Sequence, residues 1–434
     1  MDTGIVLVIY IVLLLILLSS GMWVTFAMTL VGIIGIYLWL PGGSEMLLAV
    51  ITWATLHSFA FLVIPLFMLM GQVLYHSGLS DRLYRGVNPV VSRFPGGLLH
   101  TNIVSCGIFA AISGSTSATA ATIGTVALPE LKKRGYDLKM ATGSLAAGGT
   151  LGPLIPPGTL FIIYGVLCGV SIGKLFMGGL IPGVMLMLLF MTLIFVRAKV
   201  QPNIAPKEEA LPWGRSILRL LSIWPIVLLV VVVLGGIYLG VFTPTEAAGI
   251  GSFGALLVAL GFRRLKPKVF WQSVLGATQM GCMVLFLILG AKLMGIALAN
   301  LGVPAQVARQ VASLGLPPIG VLILIYCFYT LTGMFMDGLA AMTLTLPIMF
   351  PVAMAMGFDP VWYGVIMVMM IEIGAITPPV GINVYVLHGL DLEIPMSYVF
   401  RGGLFFLIAT VTNLALNTAF PQIALWLPGK MLGY

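Results

Sequence analysis

Apolar runs about as long as a bilayer is thick recur along this chain, and they restrict its fold more than any other feature. About 20 apolar residues cross the hydrocarbon core as a helix, and a backbone in lipid must pair its own polar groups. Only 8% of the residues are charged, against about 25% in a soluble domain. The sequence therefore predicts an all-α polytopic membrane protein, with continuous helices near residues 4–20, 23–40, 48–76, 175–196, 221–240, 245–262, 272–299 and 398–417.

Two other apolar regions are interrupted by small residues and prolines. Region 95–130 contains Ser-Gly-Ser-Thr-Ser-Ala-Thr at 113–119, which is unsuited to a lipid-facing helix because the exposed backbone would need partners. We expect a re-entrant helical hairpin there, entering and leaving the membrane on one side. Region 138–170 is broken at 148–153 and 155–158. Proline cannot donate an intrahelical hydrogen bond and glycine tolerates unwinding, so this region predicts two half-helices.

An internal repeat relates these two regions to a later part of the chain. Pro95 and Pro317 lie 222 residues apart, and no gap is needed between Pro95 and Pro157 to keep that offset. The repeat predicts a second hairpin near 317–350 and a second broken helix near 360–390. The other pairs at this offset are Pro129–Pro351, Asp137–Asp359, Gly152–Gly374, Pro156–Pro378 and Pro157–Pro379.

The distribution of Lys and Arg predicts the orientation. All but four of the 21 basic residues lie in five loops, at 77–94, 131–139, 197–220, 263–270 and 391–401. By the positive-inside rule these loops are cytoplasmic, so the net charge of +8 reflects topology and does not indicate a nucleic-acid partner. Five predicted spans separate the hairpins, and five is an odd number, so the two repeats are inverted. The four exceptions are Lys174, Lys292, Arg309 and Lys430.

Inverted repeats with broken helices are typical of secondary transporters, whose sites lie where the interruptions meet. Half-helix N-termini favour anions, and unwound carbonyls and hydroxyls suit a small cation. We predict two cation sites, one formed by Ser113, Gly114, Ser115 and Gly152 and the other by Asp337, Gly338, Gly374 and Thr377. The predicted substrate contacts are Thr116, Pro156, Pro157, Pro378, Asn383 and His388.

Each of these assignments has a structural alternative. The small residues of the first tip also permit close helix packing, and Asp337 can instead form a hydrogen bond to the hairpin backbone. His388 fits a packed, hydrogen-bonded histidine. Glu372, one turn before the second break, is a further candidate ion ligand and can instead pair with a neighbouring helix. Lys292, inside a predicted span, is a candidate substrate contact that fits better with snorkelling toward the outer surface or pairing with a partner subunit.

Three motifs resemble the large membrane subunit of tripartite ATP-independent periplasmic (TRAP) transporters. They are SGSTSATAATIG at 113–124, GGTLGPLIPPG at 148–158 and GAITPPVGIN at 374–383. The resemblance implies a multi-pass protein of the bacterial inner membrane and an elevator mechanism driven by a sodium gradient. It also implies a small four-helix membrane partner, a periplasmic binding protein that delivers substrate, and organic anions such as C4-dicarboxylates, sialic acid or other sugar acids as cargo.

The uneven placement of the helix breaks predicts two domains with different roles. Every break lies in 95–196 or 317–417, which we expect to form a mobile transport domain. The long helices of 1–76 and 203–300 are expected to form a scaffold. The basic amphipathic segment around Trp213 is expected to lie at the cytoplasmic interface.

Other classes of function lack their motifs in this sequence. There is no Gly-x-x-x-x-Gly-Lys-Ser/Thr run for a nucleotide-driven pump, and the four Cys and four His lack the spacing of a metal or nucleophilic site. We therefore expect neither an enzyme nor a cofactor beyond a coupling ion. Two alternatives stay open, namely a stand-alone dicarboxylate transporter without a binding protein and proton coupling through Asp337.

Overall fold

The computed structural model describes residues 3–40, 42, 44–206 and 212–431. These described residues form helices joined by turns, without any strand. Eight helices among them are long and apolar enough to cross a membrane, and one further pair, bent by 53°, is a ninth candidate. The predicted all-α membrane fold is therefore confirmed. Lys207, one of the basic loop residues, lies outside the described part.

The first helices form an apolar group with one unexpected break. The segment predicted as one helix over 48–76 is interrupted, so that prediction was wrong there. Pro65 explains the break. It lies in the first turn of the later helix, where no helical partner is available for its missing N–H. In an unbroken helix its ring would clash with the carbonyl group four residues earlier. The elements are α1 (Thr3–Ser19), α2 (Val24–Trp39), α3 (Ser44–Leu56), a 3₁₀ turn (Phe59–Leu62), α4 (Val63–His76) and α5 (Leu79–Val91).

The first repeat contains a helical hairpin followed by a broken helix, as its sequence predicts. The hairpin turns at Gly114, whose φ of +59° belongs to the left-handed region. The broken helix is interrupted at the Pro156–Pro157 bond, which is cis. The elements are α6 (Leu98–Ser113), α7 (Thr116–Lys133), α8 (Leu138–Gly149), α9 (Leu151–Leu154), α10 (Thr159–Cys168) and α11 (Ile172–Val200).

Between the repeats lie long continuous helices and one short amphipathic helix. That short helix, α12, is fastened to the end of α5, because the guanidinium of Arg93 lies 3.7 Å from the ring centroid of Trp213 and donates a 3.0 Å hydrogen bond to Ser216. The elements are α12 (Trp213–Leu221), α13 (Trp224–Tyr238), α14 (Pro244–Gly261), α15 (Pro267–Asn300) and α16 (Val303–Ser313).

The second repeat has the same order of elements as the first. Each arm of its hairpin has 18 residues and is apolar enough to pass for a span. The two arms form a hairpin and not two separate spans, because their tip lies against the second helix break. The Val380 N–H, just past that break, donates to the carbonyl of Met334, near the tip, at 3.3 Å. The elements are α17 (Pro318–Phe335), α18 (Gly338–Ala355), α19 (Pro360–Ile376), α20 (Ile382–Leu390), α21 (Met396–Ala419) and α22 (Gln422–Leu425).

Contacts between the repeats agree with the inverted arrangement. At one membrane face, Lys132 at the base of the first hairpin forms an ion pair with Asp391, which follows the second broken helix. At the other face, the Tyr164 hydroxyl, late in the first broken helix, donates to the Pro360 carbonyl at the start of the second, at 2.7 Å. The start of one broken helix therefore lies beside the end of the other.

Glycines allow the closest helix crossings. A Cβ on Gly32 of α2 would lie 2.7 Å from the Met294 backbone nitrogen of α15, and one on Gly143 of α8 would lie 2.5 Å from the Gly402 carbonyl carbon of α21. Small residues let membrane helices approach in this way. The α2–α15 crossing joins helices assigned to the scaffold, and the α8–α21 crossing joins helices assigned to the transport domain. The division into these two domains stays a prediction.

Candidate functional site

The tip of the first hairpin is closed by its own hydroxyl groups. Thr119 donates its only hydroxyl proton to the Ser115 carbonyl at 2.7 Å, and its oxygen lies 2.7 Å from the Ser113 hydroxyl. Ser113 is therefore the donor of the second hydrogen bond. Its oxygen keeps lone pairs, so the predicted role of Ser113 as a cation ligand stays a prediction compatible with this geometry.

The first tip is also bound to the break of its own repeat. Thr159, the first residue of α10, donates to the Gly114 carbonyl through its N–H at 3.1 Å and through its hydroxyl at 2.8 Å. A Cβ on Gly152 would lie 2.5 Å from the Ser115 carbonyl oxygen. The structure thus brings the predicted ligands Gly114, Ser115 and Gly152 together. A cation bound by the Gly114 carbonyl would have to share that oxygen with Thr159.

The tip of the second hairpin carries a carboxylate in place of a serine. Asp337 caps α18, because its Oδ2 accepts from the Leu339 N–H at 3.1 Å. The side chain nevertheless stays exposed. Both earlier interpretations of Asp337 are thus compatible with its position, since one carboxylate forms the structural hydrogen bond and remains accessible to a ligand.

The second tip packs on the second break with direct backbone contact. A Cβ on Gly374 would lie 2.6 Å from Gly333 Cα and 2.8 Å from the Met334 nitrogen. Thr377, at the end of α19, donates its hydroxyl proton to the Ile373 carbonyl at 2.5 Å. Its hydroxyl oxygen therefore has lone pairs left for a cation.

Each hairpin tip also touches the opposite repeat. Thr116 donates to Oε1 of Glu372 at 2.7 Å, and Glu372 is only 3% exposed. Its Oε2 is buried without a hydrogen-bond partner among the described residues. In the other direction, a Cβ on Gly338 would lie 3.5 Å from a methyl carbon of Leu160 in α10. Glu372 therefore pairs with the first hairpin, a contact between residues 256 positions apart.

The predicted substrate residues do not form one cluster. Thr116 and Asn383 both pack against Gly149. Asn383 is fully buried and its amide donates to the Ala146 carbonyl at 2.9 Å. His388 lies farther along α20, where Nδ1 is 2.9 Å from the Ile394 carbonyl oxygen. The predicted proline contacts lie at the two breaks, where Pro156–Pro157 is buried and Pro378–Pro379 is cis like its counterpart.

A cavity of about 200 Å³ lies beside the contact between the first tip and the helices assigned to the scaffold. Ser113 and Ser115 line it from the hairpin, Gln72 and Tyr75 line it from α4, and Met280 lines it from α15. We name this space the tip cavity. It places two predicted cation ligands at the boundary between the two predicted domains.

Sequence reasoning did not identify Thr159 or Gln72 as part of this region. Thr159 anchors the Gly114 carbonyl, and its position directly after Pro-Pro-Gly was an available signal. Gln72 is a polar side chain in an apolar span, and its amide nitrogen lies 3.2 Å from the Met280 sulfur. Lys292 of α15 lies outside this region, and its ammonium is 5.2 Å from the ring centroid of Phe61. That contact is compatible with the expected snorkelling.

Comparison with known proteins identifies the family to which this chain belongs. The family described as "Tripartite ATP-independent periplasmic transporter, DctM component" matches residues 11–423. The chain belongs to this family. It is therefore the large permease component of a TRAP transporter, and a multi-pass protein of the inner membrane.

Individual relatives of this TRAP permease cover most of its length. The C4-dicarboxylate TRAP transporter large permease protein DctM of Pseudomonas aeruginosa is 35% identical over 383 residues, which are 88% of this chain and 89% of that protein. The sialic acid TRAP transporter large permease protein SiaM of Vibrio cholerae is 31% identical, over 87% and 88% of the two chains. The Alcanivorax borkumensis YdaH transporter superposes with a TM-score of 0.66 over 89% of this chain and 91% of that one, at 15% identity, and shares the fold.

Proposed function

We propose that this TRAP permease carries an organic anion into the cytoplasm together with sodium. The observation that carries the proposal is the pairing of each hairpin tip with a helix break. The pairing gathers hydroxyl and carbonyl oxygens with a single tip carboxylate, Asp337. The two relatives named above are a C4-dicarboxylate permease and a sialic acid permease, both named for acids, which supports an organic anion as cargo.

Sodium suits the oxygen atoms present where each hairpin tip meets a helix break. Ser113 and Thr377 each use their hydroxyl proton inside the protein and keep lone pairs for a cation. Unwound carbonyls at breaks in membrane helices coordinate coupling cations in other transporters. A cation at each tip would make the adjoining field positive, so an anionic substrate would bind after sodium and would leave when sodium leaves.

The proposed transporter includes two partner proteins. Membership of a periplasmic transporter family supports a soluble periplasmic binding protein that delivers the anion and a small four-helix membrane subunit. We expect that subunit to cover the apolar outer faces of helices such as α1, where Val8 and Leu15 are more than half exposed.

Movement of residues 95–196 and 317–417 past the scaffold is the proposed transport step. A cysteine pair tests it. A Cβ on Gly295 of α15 would lie 3.3 Å from the Pro347 Cβ of α18, close to the separation of about 3.5–4.5 Å in disulfides. In a background without native cysteines, oxidising Gly295→Cys/Pro347→Cys should abolish uptake, and reductant should restore it.

The matched control joins two helices of the scaffold. A Cβ on Gly290 of α15 would lie 3.2 Å from the Met28 Cβ of α2, so Gly290→Cys/Met28→Cys forms a similar bond without crossing the predicted boundary. This pair should keep uptake when oxidised. Full uptake by the oxidised Gly295–Pro347 pair would refute the moving-domain mechanism.

Uptake into proteoliposomes tests sodium coupling. With the binding protein outside, uptake should need an inward sodium gradient and rise more than linearly with sodium. Asp337→Asn should weaken the sodium dependence, and Asp359→Asn serves as its control. Asp359 caps α19 through 2.8 and 3.0 Å hydrogen bonds, and asparagine caps helices about as well as aspartate. Full uptake driven by a pH gradient without sodium would instead support proton coupling, and uptake without a binding protein would support a stand-alone carrier.

A further inference from the structure

A second and larger cavity lies beside the tip cavity. It measures about 660 Å³ and is walled by α5, α7, the end of α12 with the residue after it, and the residues that follow α14. Glu130 and Arg134, at the base of the first hairpin, line it, so it lies at the face that the charge distribution assigns to the cytoplasm. We name it the basic vestibule.

A winding ridge of α7 connects the two cavities. Ala118 and Thr122 line the tip cavity, and Val126, Glu130 and Arg134 line the vestibule. These five residues follow one another at intervals of four, so each is a surface neighbour of the next, and together they form a ridge that winds around α7 to the residue just past its end. The two spaces therefore lie in series along the first hairpin, from its tip to its base.

The vestibule wall is strongly basic. Five arginines line it against two acids, Asp81 and Glu130. Both acids form ion pairs within their own helices, with Arg85 and Arg134. The three arginines left over come from three different elements, and they are Arg82, Arg219 and Arg264.

Arg82 is held in a fixed position. Its Nε donates to the Ser222 carbonyl at 3.2 Å, and its guanidinium lies 4.0 Å from the ring centroid of Phe262. Among the described residues, neither Arg219 nor Arg264 takes part in an ion pair. The wall also contains Asn88, whose amide oxygen is buried without a hydrogen-bond partner in the described part.

The positive-inside rule accounts for basic residues on this side of the membrane but not for their convergence on one concavity. Other basic residues of the same loops, such as Arg215 and Arg263, do not line the vestibule. A cleft lined by one sign of charge focuses the field and concentrates counter-ions. The guanidinium group matches the geometry of both carboxylates and phosphates.

We propose that the basic vestibule is a release site for the transported anion, where Arg82, Arg219 and Arg264 receive its carboxylate after it leaves the first hairpin tip. This inference rests on the proposed function, anion uptake. A phospholipid headgroup at the same membrane surface offers the same oxyanion chemistry, and the experiment separates the two sources.

The test measures how well the cytoplasmic side of the protein takes up substrate. Vesicles are loaded with labelled succinate, and ligand-free binding protein is added outside, so only molecules with their periplasmic face outward export label. Arg219→Gln/Arg264→Gln should raise the KM for internal succinate roughly tenfold, within the range of electrostatic attraction. Uptake from outside should keep its KM and its sodium dependence.

Matched variants exclude a general effect of lost charge or altered folding. Arg215→Gln/Arg263→Gln removes the same charge from the same two segments and should leave the internal KM unchanged. Arg219→Lys/Arg264→Lys keeps the charge and should restore most of the affinity. The internal KM of the wild type should rise with ionic strength, since salt screens exposed charges, and that of the Gln double variant should rise less.

Two results would overturn the proposal. One is an internal KM of the Arg219/Arg264 variant equal to that of the Arg215/Arg263 control. The other is a defect that appears only when phosphatidylglycerol is present and vanishes in vesicles of phosphatidylcholine alone, which would assign the vestibule to lipid. Failure of the proposed function gives a different result, namely a wild type that moves no succinate or sialic acid in either direction.

Discussion

Replacing Gly374 by alanine tests whether the tip–break contact holds the second site together. The added methyl group would lie 2.6 Å from Gly333 Cα and 2.8 Å from the Met334 nitrogen, whereas carbon atoms pack at about 3.5–4.0 Å. The neighbouring atoms are backbone and cannot rotate away, so α17 and α19 must separate by roughly 1 Å. Overpacking of this kind costs about 1–3 kcal/mol.

The same separation should weaken cation binding at the second tip. Since 1.4 kcal/mol corresponds to a tenfold change in an equilibrium constant, a cost of about 1–3 kcal/mol predicts an apparent sodium affinity lower by roughly 5- to 150-fold. Gly152→Ala, whose methyl group would lie 2.5 Å from the Ser115 carbonyl oxygen, should behave alike at the first tip. Thermal unfolding in detergent and the sodium dependence of uptake measure the two effects.

Gly249→Ala is the matched control, because a Cβ at Gly249 of α14 would meet nothing within 4 Å. Alanine there should be neutral or stabilise the helix by about 0.5–1 kcal/mol. If Gly374→Ala unfolds at the same temperature as Gly249→Ala and keeps the wild-type sodium response, the close packing of tip and break has no role in the cation site.

Three further predictions concern topology, the cytoplasmic contact between repeats and the buried hydrogen bond. Cysteine at Lys133 should be shielded from an impermeant thiol reagent added outside, whereas cysteine at Arg309 should react; the opposite pattern would contradict the orientation. The hydrogen bond from Lys132 lowers the pKa of Asp391, and its bonds to Asp391 and Glu393 raise the pKa of Lys132. The stabilisation measured against a Lys132→Gln variant should therefore stay constant between about pH 5 and 9 and disappear as the pH falls below about 4. Thr116→Val leaves the buried carboxyl group of Glu372 without this hydrogen-bond partner and should lower the free energy of unfolding by about 1–3 kcal/mol; an unchanged unfolding temperature would show that the bond contributes nothing.

The main elements of the fold were predictable because glycine and proline mark backbone geometry directly. The offset of 222 residues placed the second hairpin and second break from the first, and the structure has α17–α18 and α19–α20 there. The interruption after α3 was missed because its marker, Pro65, lies several residues beyond the break and is compatible with a helix start. A proline in the first turn and a proline inside a helix look alike in one sequence.

Only those parts of the candidate site that lie within one short segment of the sequence could be predicted. Ser115 and Asp337 could be assigned to hairpin tips from sequence alone. The bond between Thr116 and Glu372 could not be predicted, since no local pattern relates residues 256 positions apart. The burial of Asn383 against α8 depends in the same way on packing between the repeats.

That packing between repeats imposes an order on how the protein is made. Thr116 is synthesised 256 residues before its partner Glu372, and Tyr164 is synthesised 196 residues before Pro360. At about 5–20 residues per second, the first hairpin tip waits on the order of 10–50 s before its partner leaves the ribosome. During that interval its polar groups must be satisfied by water or by the insertion machinery. The first repeat therefore reaches its final structure only after the second has entered the membrane in the opposite orientation.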